Sequence, residues 1–141
     1  MAARWTTPAS STPTYKAMKM YRNYDGNTST FGETSVAATT ADPDTMAAFA
    51  AQRSDGALTV MVIGKSLSAT TPATINLAGF QPGATAQVWQ LTAANTINRL
   101  PNIGVIGSSL GLSVPPQSVT LVVVAGSADA PRAPTNLRIT S

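Results

Sequence analysis

The chain has 141 residues, the size of one ordinary domain that can bury a core without covalent staples. It contains no cysteine and no histidine, which excludes thiol catalysis, disulfides, Cys-ligated zinc and the commonest general base. Only 11% of residues are charged, against about 25% in an average domain, and the basic residues behind the net charge of +3 are scattered. We therefore expect no nucleic-acid partner and a neutral, hydroxyl-rich surface of the kind found on extracellular bacterial β-domains.

The N-terminal part of the chain predicts a linker followed by a short ordered segment. Residues 1–13 are interpreted as the linker, because 6–14 (TTPASSTPT) is rich in Ser, Thr and Pro; Trp5 lies within it. In residues 15–24, large apolar side chains recur every three or four positions, which favours an amphipathic helix capped by Thr14 and ended by residues 25–27. The same residues also alternate in polarity, so a strand remains an alternative.

The middle of the chain predicts strands. Alternating or continuous apolar runs indicate six of them, at 33–39, 46–52, 57–63, 73–77, 85–91 and 118–124. In the run 57–63, the alternating residues of both strand faces are apolar, as in a central strand covered on both faces. Asp55-Gly56 predicts a hairpin turn before this strand. We predict an all-β, antiparallel β-sandwich of about eight strands over 14–125, with a short N-terminal helix as an option.

The C-terminal residues 126–141 are interpreted as a second linker and the start of a following β-module. The segment 126–134 (GSADAPRAP) has linker composition, and Thr135–Thr140 resembles the first strand of a fibronectin-type-III-like module. No stretch resembles a signal peptide or approaches the ~20 apolar residues of a membrane-spanning helix. We expect no membrane partner.

Several segments, in order, resemble one enzyme family. They are 17–26 (AMKMYRNYDG), 31–36 (FGETSV), 53–63 (RSDGALTVMVI), Lys65-Ser66, 86–91 (AQVWQL), Ala94-Asn95 and 97–99 (INR). Together they are similar to the C-terminal β-sandwich of glycoside hydrolase family 44 endoglucanases and xyloglucanases, over about residues 15–125. As an isolated module, the chain also resembles carbohydrate-binding module family 81, which recognises β-1,4-glucans.

The resemblance implies a binding module rather than an enzyme, because the catalytic carboxylates of family 44 lie in a barrel that has no counterpart here. We expect a non-catalytic module for β-1,4-glucans such as cellulose, cello-oligosaccharides and xyloglucan. It would be secreted, and it would target a parent glycoside hydrolase, joined in cis, to polysaccharide. The alternative from another class is a structural accessory sandwich that braces a hydrolase barrel without binding glycan.

The carboxylates are explained by turns rather than by catalysis. Glycoside hydrolysis needs two carboxyl groups about 5–9.5 Å apart. Most of the six acids stand in turns, loops or the C-terminal linker: Asp25, Glu33, Asp42, Asp44, Asp55 and Asp129. A structural calcium held by Asn23, Asp25 and Asn27, or by Asp42 and Asp44, is a weaker idea, because no complete ligand set can be read. We predict no cofactor and no catalytic or metal-binding residue.

Sugar binding calls for aromatic rings beside neutral hydrogen-bonding groups. Trp89 is the best candidate platform, because it shares its predicted strand face with polar Gln87; packing in the core with Leu91 is the alternative. Tyr21 and Tyr24 are further candidate platforms, with docking onto the sandwich as the alternative. The candidate hydrogen-bonding residues are Gln87, Gln90, Asn95, Asn98 and Arg99. Phe49 and Phe80 are expected in the core.

Overall fold

The computed structural model describes residues 7–126 and 137–140, so Trp5 and residues 127–136 lie outside the described part. Along the chain the elements are α1 (Pro13–Arg22), β1 (Thr34–Val36), β2 (Ala38–Thr40), β3 (Met46–Gln52), β4 (Leu58–Gly64), β5 (Thr71–Asn76), β6 (Pro82–Leu91), β7 (Ile97–Gly104), β8 (Ser109–Val114), β9 (Ser118–Gly126) and β10 (Leu137–Thr140). Among these residues, no helix is long and apolar enough to cross a membrane.

The strands form two sheets that face each other. The larger has the order β1-β3-β4-β9-β6-β7, and the smaller has the order β2-β10-β5-β8. Neighbouring strands are antiparallel, except that β10 runs parallel to β2. The predicted all-β sandwich is confirmed, with ten described strands instead of about eight, partly because the run 33–39 divides at Ala37 into β1 and β2 in different sheets.

The main core lies between the sheets. Alternate residues of β4, Leu58, Val60 and Val62, are fully buried there, and Ile75 and Leu110 meet them from the smaller sheet. The intervening β4 residues are buried too, on the other side of the larger sheet. This agrees with the expectation that 57–63 is a central strand covered on both faces.

The segment 15–24 contains a helix, not a strand, and it begins earlier than predicted. Thr12, rather than Thr14, caps α1, because its side chain accepts a hydrogen bond from the Tyr15 backbone N–H at 3.3 Å. Pro13 occupies the first turn, where its missing N–H leaves no helical bond unmade. The predicted linker 1–13 therefore includes the start of the helix.

The C-terminal strand differs from its prediction. Leu137–Thr140 does not stand apart as the start of another module but pairs with β2 on one side and β5 on the other. Ile139 is 1% exposed in the main core, so burial of an apolar side chain accounts for its place in the sandwich. The other boundaries of the domain prediction remain predictions.

The larger sheet ends in two irregular edges. β1 has only three residues, and β7 contains Pro101, which has no N–H to donate. Between the paired residues Ala86 and Val88 of β6, β7 holds one extra residue, which forms a bulge at Pro101 and Asn102.

Candidate functional site

The outer face of the larger sheet is covered by the N-terminal segment. Met20 of α1 is fully buried in a second cluster with Met61 of β4 and Leu121 of β9. Tyr24 joins this cluster at 5% exposure. Any site on this face must therefore lie beside the helix rather than beneath it.

Trp89 lies on this outer face, partly buried. The Tyr24 ring lies 5.4 Å from the Trp89 ring, at 58°, and the Arg99 guanidinium carbon is 5.5 Å from the Trp89 ring centroid. The indole Nε1 is buried and has no hydrogen-bond partner among the described residues. The Trp89 ring is thus partly covered by Tyr24 and Arg99 and is not an open platform.

The two predicted tyrosines have different positions. Tyr24 is buried, which corrects its prediction as an exposed platform: the second cluster gives its ring an apolar cover. Tyr21 is partly exposed and packs edge-on against Phe31, with ring centroids 5.2 Å apart. Burial also raises the pKa of the Tyr21 hydroxyl. Tyr21 packs against the same second cluster as Trp89, but it lines a different groove, together with Phe31.

Three predicted amides do not join Trp89. Gln90 is 8% exposed on the inner side of β6, where its Nε2 donates to Thr120 Oγ1 at 3.1 Å, so it cannot reach a surface ligand. Asn98 pairs with Gln90 across the sheet and so lies on the face opposite Trp89. The Asn95 side chain donates to the Ser11 carbonyl at 2.8 Å and anchors the N-terminal segment. These three residues therefore do not belong to the site: Gln90 is buried, Asn98 lies on the other face, and Asn95 is used in a structural hydrogen bond.

Gln87 and Arg99 remain on the outer face. Gln87 is exposed two residues before Trp89, as the strand parity predicted, and Arg99 is the cross-strand partner of Trp89. Arg99 donates to the Asn102 side-chain oxygen and to the Leu100 carbonyl, which fixes its guanidinium over the indole. The sequence therefore located the correct strands and only part of the residue set.

Beside Trp89 lies a polar pocket of about 340 Å³ on the same outer face. Its floor consists of three small apolar residues, Ala57, Val123 and Ala125. Its walls carry the hydrogen-bonding groups of Tyr24, Asp25, Ser29, Arg53, Asp55, Thr85, Gln87 and Asn102. The loop after α1, the β3–β4 turn and the β6–β7 strands each contribute one wall.

One wall is fixed by an ion pair at the predicted hairpin. Arg53 donates to Asp55 through both Nε and Nη2, and its Nη1 donates to the Tyr24 hydroxyl at 2.5 Å. The hydrogen bond with Asp55 raises the pKa of Arg53, and the bond from Arg53 lowers the pKa of Asp55. Because Gly56 takes φ +86°, the turn holds this forked pair in place. The Asp-Gly signal predicted the turn but not its role as a wall.

The part of the lining that follows α1 is fixed by Asp25. Its Oδ1 accepts from the backbone N–H groups of Asn27 at 2.8 Å and Ser29 at 3.2 Å. Burial raises the pKa of Asp25, but hydrogen bonds from Ser29 and Asn27 outweigh it, and the pKa lies below its usual value. Asp25 is therefore an ionised acceptor at neutral pH.

A second, apolar groove of about 400 Å³ lies near the β1–β3 edge. Tyr21, Phe31 and Phe49 line it, and Phe49 is 51% exposed. The expected core position of Phe49 is wrong, because its place in β3 points it outward, whereas Phe80 is buried at 4% as expected.

The residues considered for calcium stabilise turns. Asp42 accepts from the Asp44 backbone N–H at 3.1 Å and from the Thr45 hydroxyl at 2.6 Å. These bonds lower the pKa of Asp42, the Thr45 bond most strongly. Within 7–126 and 137–140, no group of three or more acidic, histidine or cysteine side chains is placed to hold a metal ion.

Comparison with known proteins connects the chain to polysaccharide-degrading enzymes. No protein-family model matches it. Endoglucanase A of Paenibacillus lautus is 27% identical over 124 residues, which is 85% of this chain and 18% of that protein. The chain thus spans less than a fifth of this curated relative.

Two solved structures contain a closely similar unit. A bifunctional glucanase-xylanase, CelM2, from a metagenome library is 69% identical with a TM-score of 0.86, over 90% of this chain and 25% of that protein. A Paenibacillus polymyxa xyloglucanase of glycoside hydrolase family 44 is 30% identical with a TM-score of 0.72, over 78% of this chain and 22% of that protein. The chain is therefore homologous to a part of the family 44 glycoside hydrolases.

Proposed function

We propose that this chain is a non-catalytic carbohydrate-binding module for β-1,4-glucans, including cellulose, cello-oligosaccharides and xyloglucan. It corresponds to the C-terminal β-sandwich of a secreted glycoside hydrolase. As an isolated module, it would belong with carbohydrate-binding module family 81. Homology to about a quarter of a glucanase-xylanase and of a xyloglucanase supports this context. Tethering raises the effective concentration of the parent enzyme at its polymer, so even weak binding is useful.

The observation that carries the proposal is the partly exposed Trp89 next to a polar pocket on one sheet face. A pyranose has an apolar C–H face and a rim of hydroxyls, so its receptor needs an apolar surface beside donors and acceptors. Trp89 supplies the ring, and Gln87 and Arg99 supply hydrogen-bonding groups next to it.

The carboxylates of the pocket support a role in binding rather than cleavage. A glycosidase needs one carboxyl group with a raised pKa to protonate the leaving oxygen. Hydrogen bonds instead lower the pKa values of Asp25 and Asp55. Both groups accept hydrogen bonds at neutral pH and are poor proton donors.

Affinity electrophoresis tests the proposal. We expect the purified chain to be retarded in gels containing xyloglucan or soluble cellulose derivatives, and not in gels containing an α-glucan. In a Trp5→Phe variant, Trp89 is the sole tryptophan, so cello-oligosaccharides should change its fluorescence. Absence of retardation by every β-glucan would contradict glycan binding, and release of reducing sugar would contradict the non-catalytic assignment.

The apolar groove favours a second candidate, an accessory sandwich that braces a hydrolase barrel. Phe49 is half exposed beside Tyr21 and Phe31, and such a patch is typical of a surface covered by another domain. This function predicts that the isolated chain self-associates and binds no glycan. Phe49→Ser should then give a monomer by light scattering, whereas a glycan-binding module should keep its affinity in that variant.

A further inference from the structure

We propose that the polar pocket binds one terminal residue of a neutral glycan, at a chain end or a single-residue branch, through adjacent hydroxyl groups. The sugar class rests on the proposed function; the site and its selectivity rest on the pocket itself. The pocket is bounded by Asp25, Arg53, Asp55, Gln87 and Asn102.

The size of the pocket favours a single sugar residue. Its volume of about 340 Å³ lies near the lower end of the roughly 300–1,000 Å³ usual for ligand sites. Its polar lining comes from three different segments, the loop after α1, the β3–β4 turn and strands β6 and β7, rather than from the length of one strand. A terminal residue can enter such a cavity end-on, whereas an internal residue carries a chain on both sides.

The floor and walls match the two chemical faces of a pyranose. Ala57 and Val123 are buried, with 6% and 8% exposure, and together with Ala125 they present small apolar groups to the C–H face of a ring. Around them, the walls offer carboxylate acceptors, amide donors and acceptors, and hydroxyls. A ring resting on this floor would direct its hydroxyls toward the walls.

Several of these groups are fixed before a ligand arrives. The Arg53–Asp55 fork and the Asp25 turn hold three charged side chains in place. Arg99 holds the Asn102 side-chain oxygen, which leaves the Asn102 amide N–H groups for a ligand. Gln87 is exposed on the outer face of β6, directly opposite Val123 of the floor. A pre-formed wall loses little conformational entropy on binding, so weak contacts are used efficiently.

The charges of the walls favour neutral sugars. Asp25 and Asp55 contribute two negative charges and Arg53 one positive charge, so the three together carry one net negative charge. A uronic acid or a phosphorylated sugar would meet repulsion from the two carboxylates. Neutral hydroxyls instead donate to those carboxylates without bringing a like charge into the pocket.

Calorimetry with a series from glucose to cellohexaose tests the site. We expect affinity to level off at one or two sugar residues, and a terminal uronic acid to abolish binding. Gln87→Ala and Asn102→Ala each remove a hydrogen-bonding partner, so each should weaken binding about tenfold. The matched control is Gln81→Ala, an exposed glutamine outside the pocket, which should leave affinity unchanged. Circular dichroism checks that each variant folds.

The outcomes separate the pocket from the general function. If affinity keeps rising with chain length and Gln87→Ala binds like the unmodified chain, the pocket assignment is wrong while glycan binding stands. If the unmodified chain binds no member of the series and no β-glucan, both proposals fall. A plateau at short length together with loss in both pocket variants would support the terminal-residue site.

Discussion

Replacing Met20 by Ala tests whether α1 is held by the second cluster. Met20 is fully buried there, so truncation removes its burial and leaves a cavity against Met61 and Leu121. Methionine-to-alanine changes at such sites cost about 2–5 kcal/mol, and we expect about 3 kcal/mol of unfolding free energy here. A ten-residue helix has little stability alone, so docking is what keeps it formed.

Thermal unfolding followed by circular dichroism measures this loss. For a chain of 141 residues, about 3 kcal/mol corresponds to a fall in Tm of roughly 10 °C. Met18→Ala is the matched control: Met18 lies on the same helix but is 55% exposed, so its change should stay within about 0.5 kcal/mol. Equal Tm values for the two variants would refute the packing argument.

Three other outcomes follow from particular contacts. At Gly64, a new Cβ would lie 2.6 Å from a backbone oxygen, so Gly64→Ala should lower the unfolding free energy by about 1–3 kcal/mol in urea titrations. Gln90→Leu should cost about 1–3 kcal/mol because it orphans the fully buried Thr120 hydroxyl, and adding Thr120→Val should recover most of it. Since the bond from Arg53 lowers the folded-state pKa of Asp55, its stabilisation is present above the ordinary pKa of 3.8 and is lost as pH falls through the folded value. Asp55→Asn should therefore flatten the acid limb of a stability-versus-pH curve.

The central strands could be predicted because their signals are local. Continuous or alternating apolar runs bounded by turn residues placed β4, β6 and β9 within about three residues of their observed ends. β7 and β8 were not predicted. β7 mixes polar residues with Pro101, and glycines typical of turns lie close to Pro101 in the chain. β10 was assigned elsewhere, since sequence alone does not reveal which sheet accepts a strand.

For the candidate site, the sequence could predict only which face of a strand each residue lies on. Alternation along β6 correctly placed Gln87 and Trp89 on one face of the sheet. The same rule puts Gln90 on the opposite face, so its prediction as a neighbour of Trp89 was wrong. The cover of that face by Tyr24 and the approach of Arg53 depend on contacts between residues far apart in the chain. Such contacts leave no periodic trace, so the pocket walls went unrecognised.

The irregular margins of the six-stranded sheet have a consequence for crowding. A strand from a neighbouring molecule would find only three residues to pair with at β1, and at β7 it would meet a missing N–H and a bulge. Both margins are thus poor templates for cross-β growth. Many copies held close together would therefore have little tendency to aggregate through these edges.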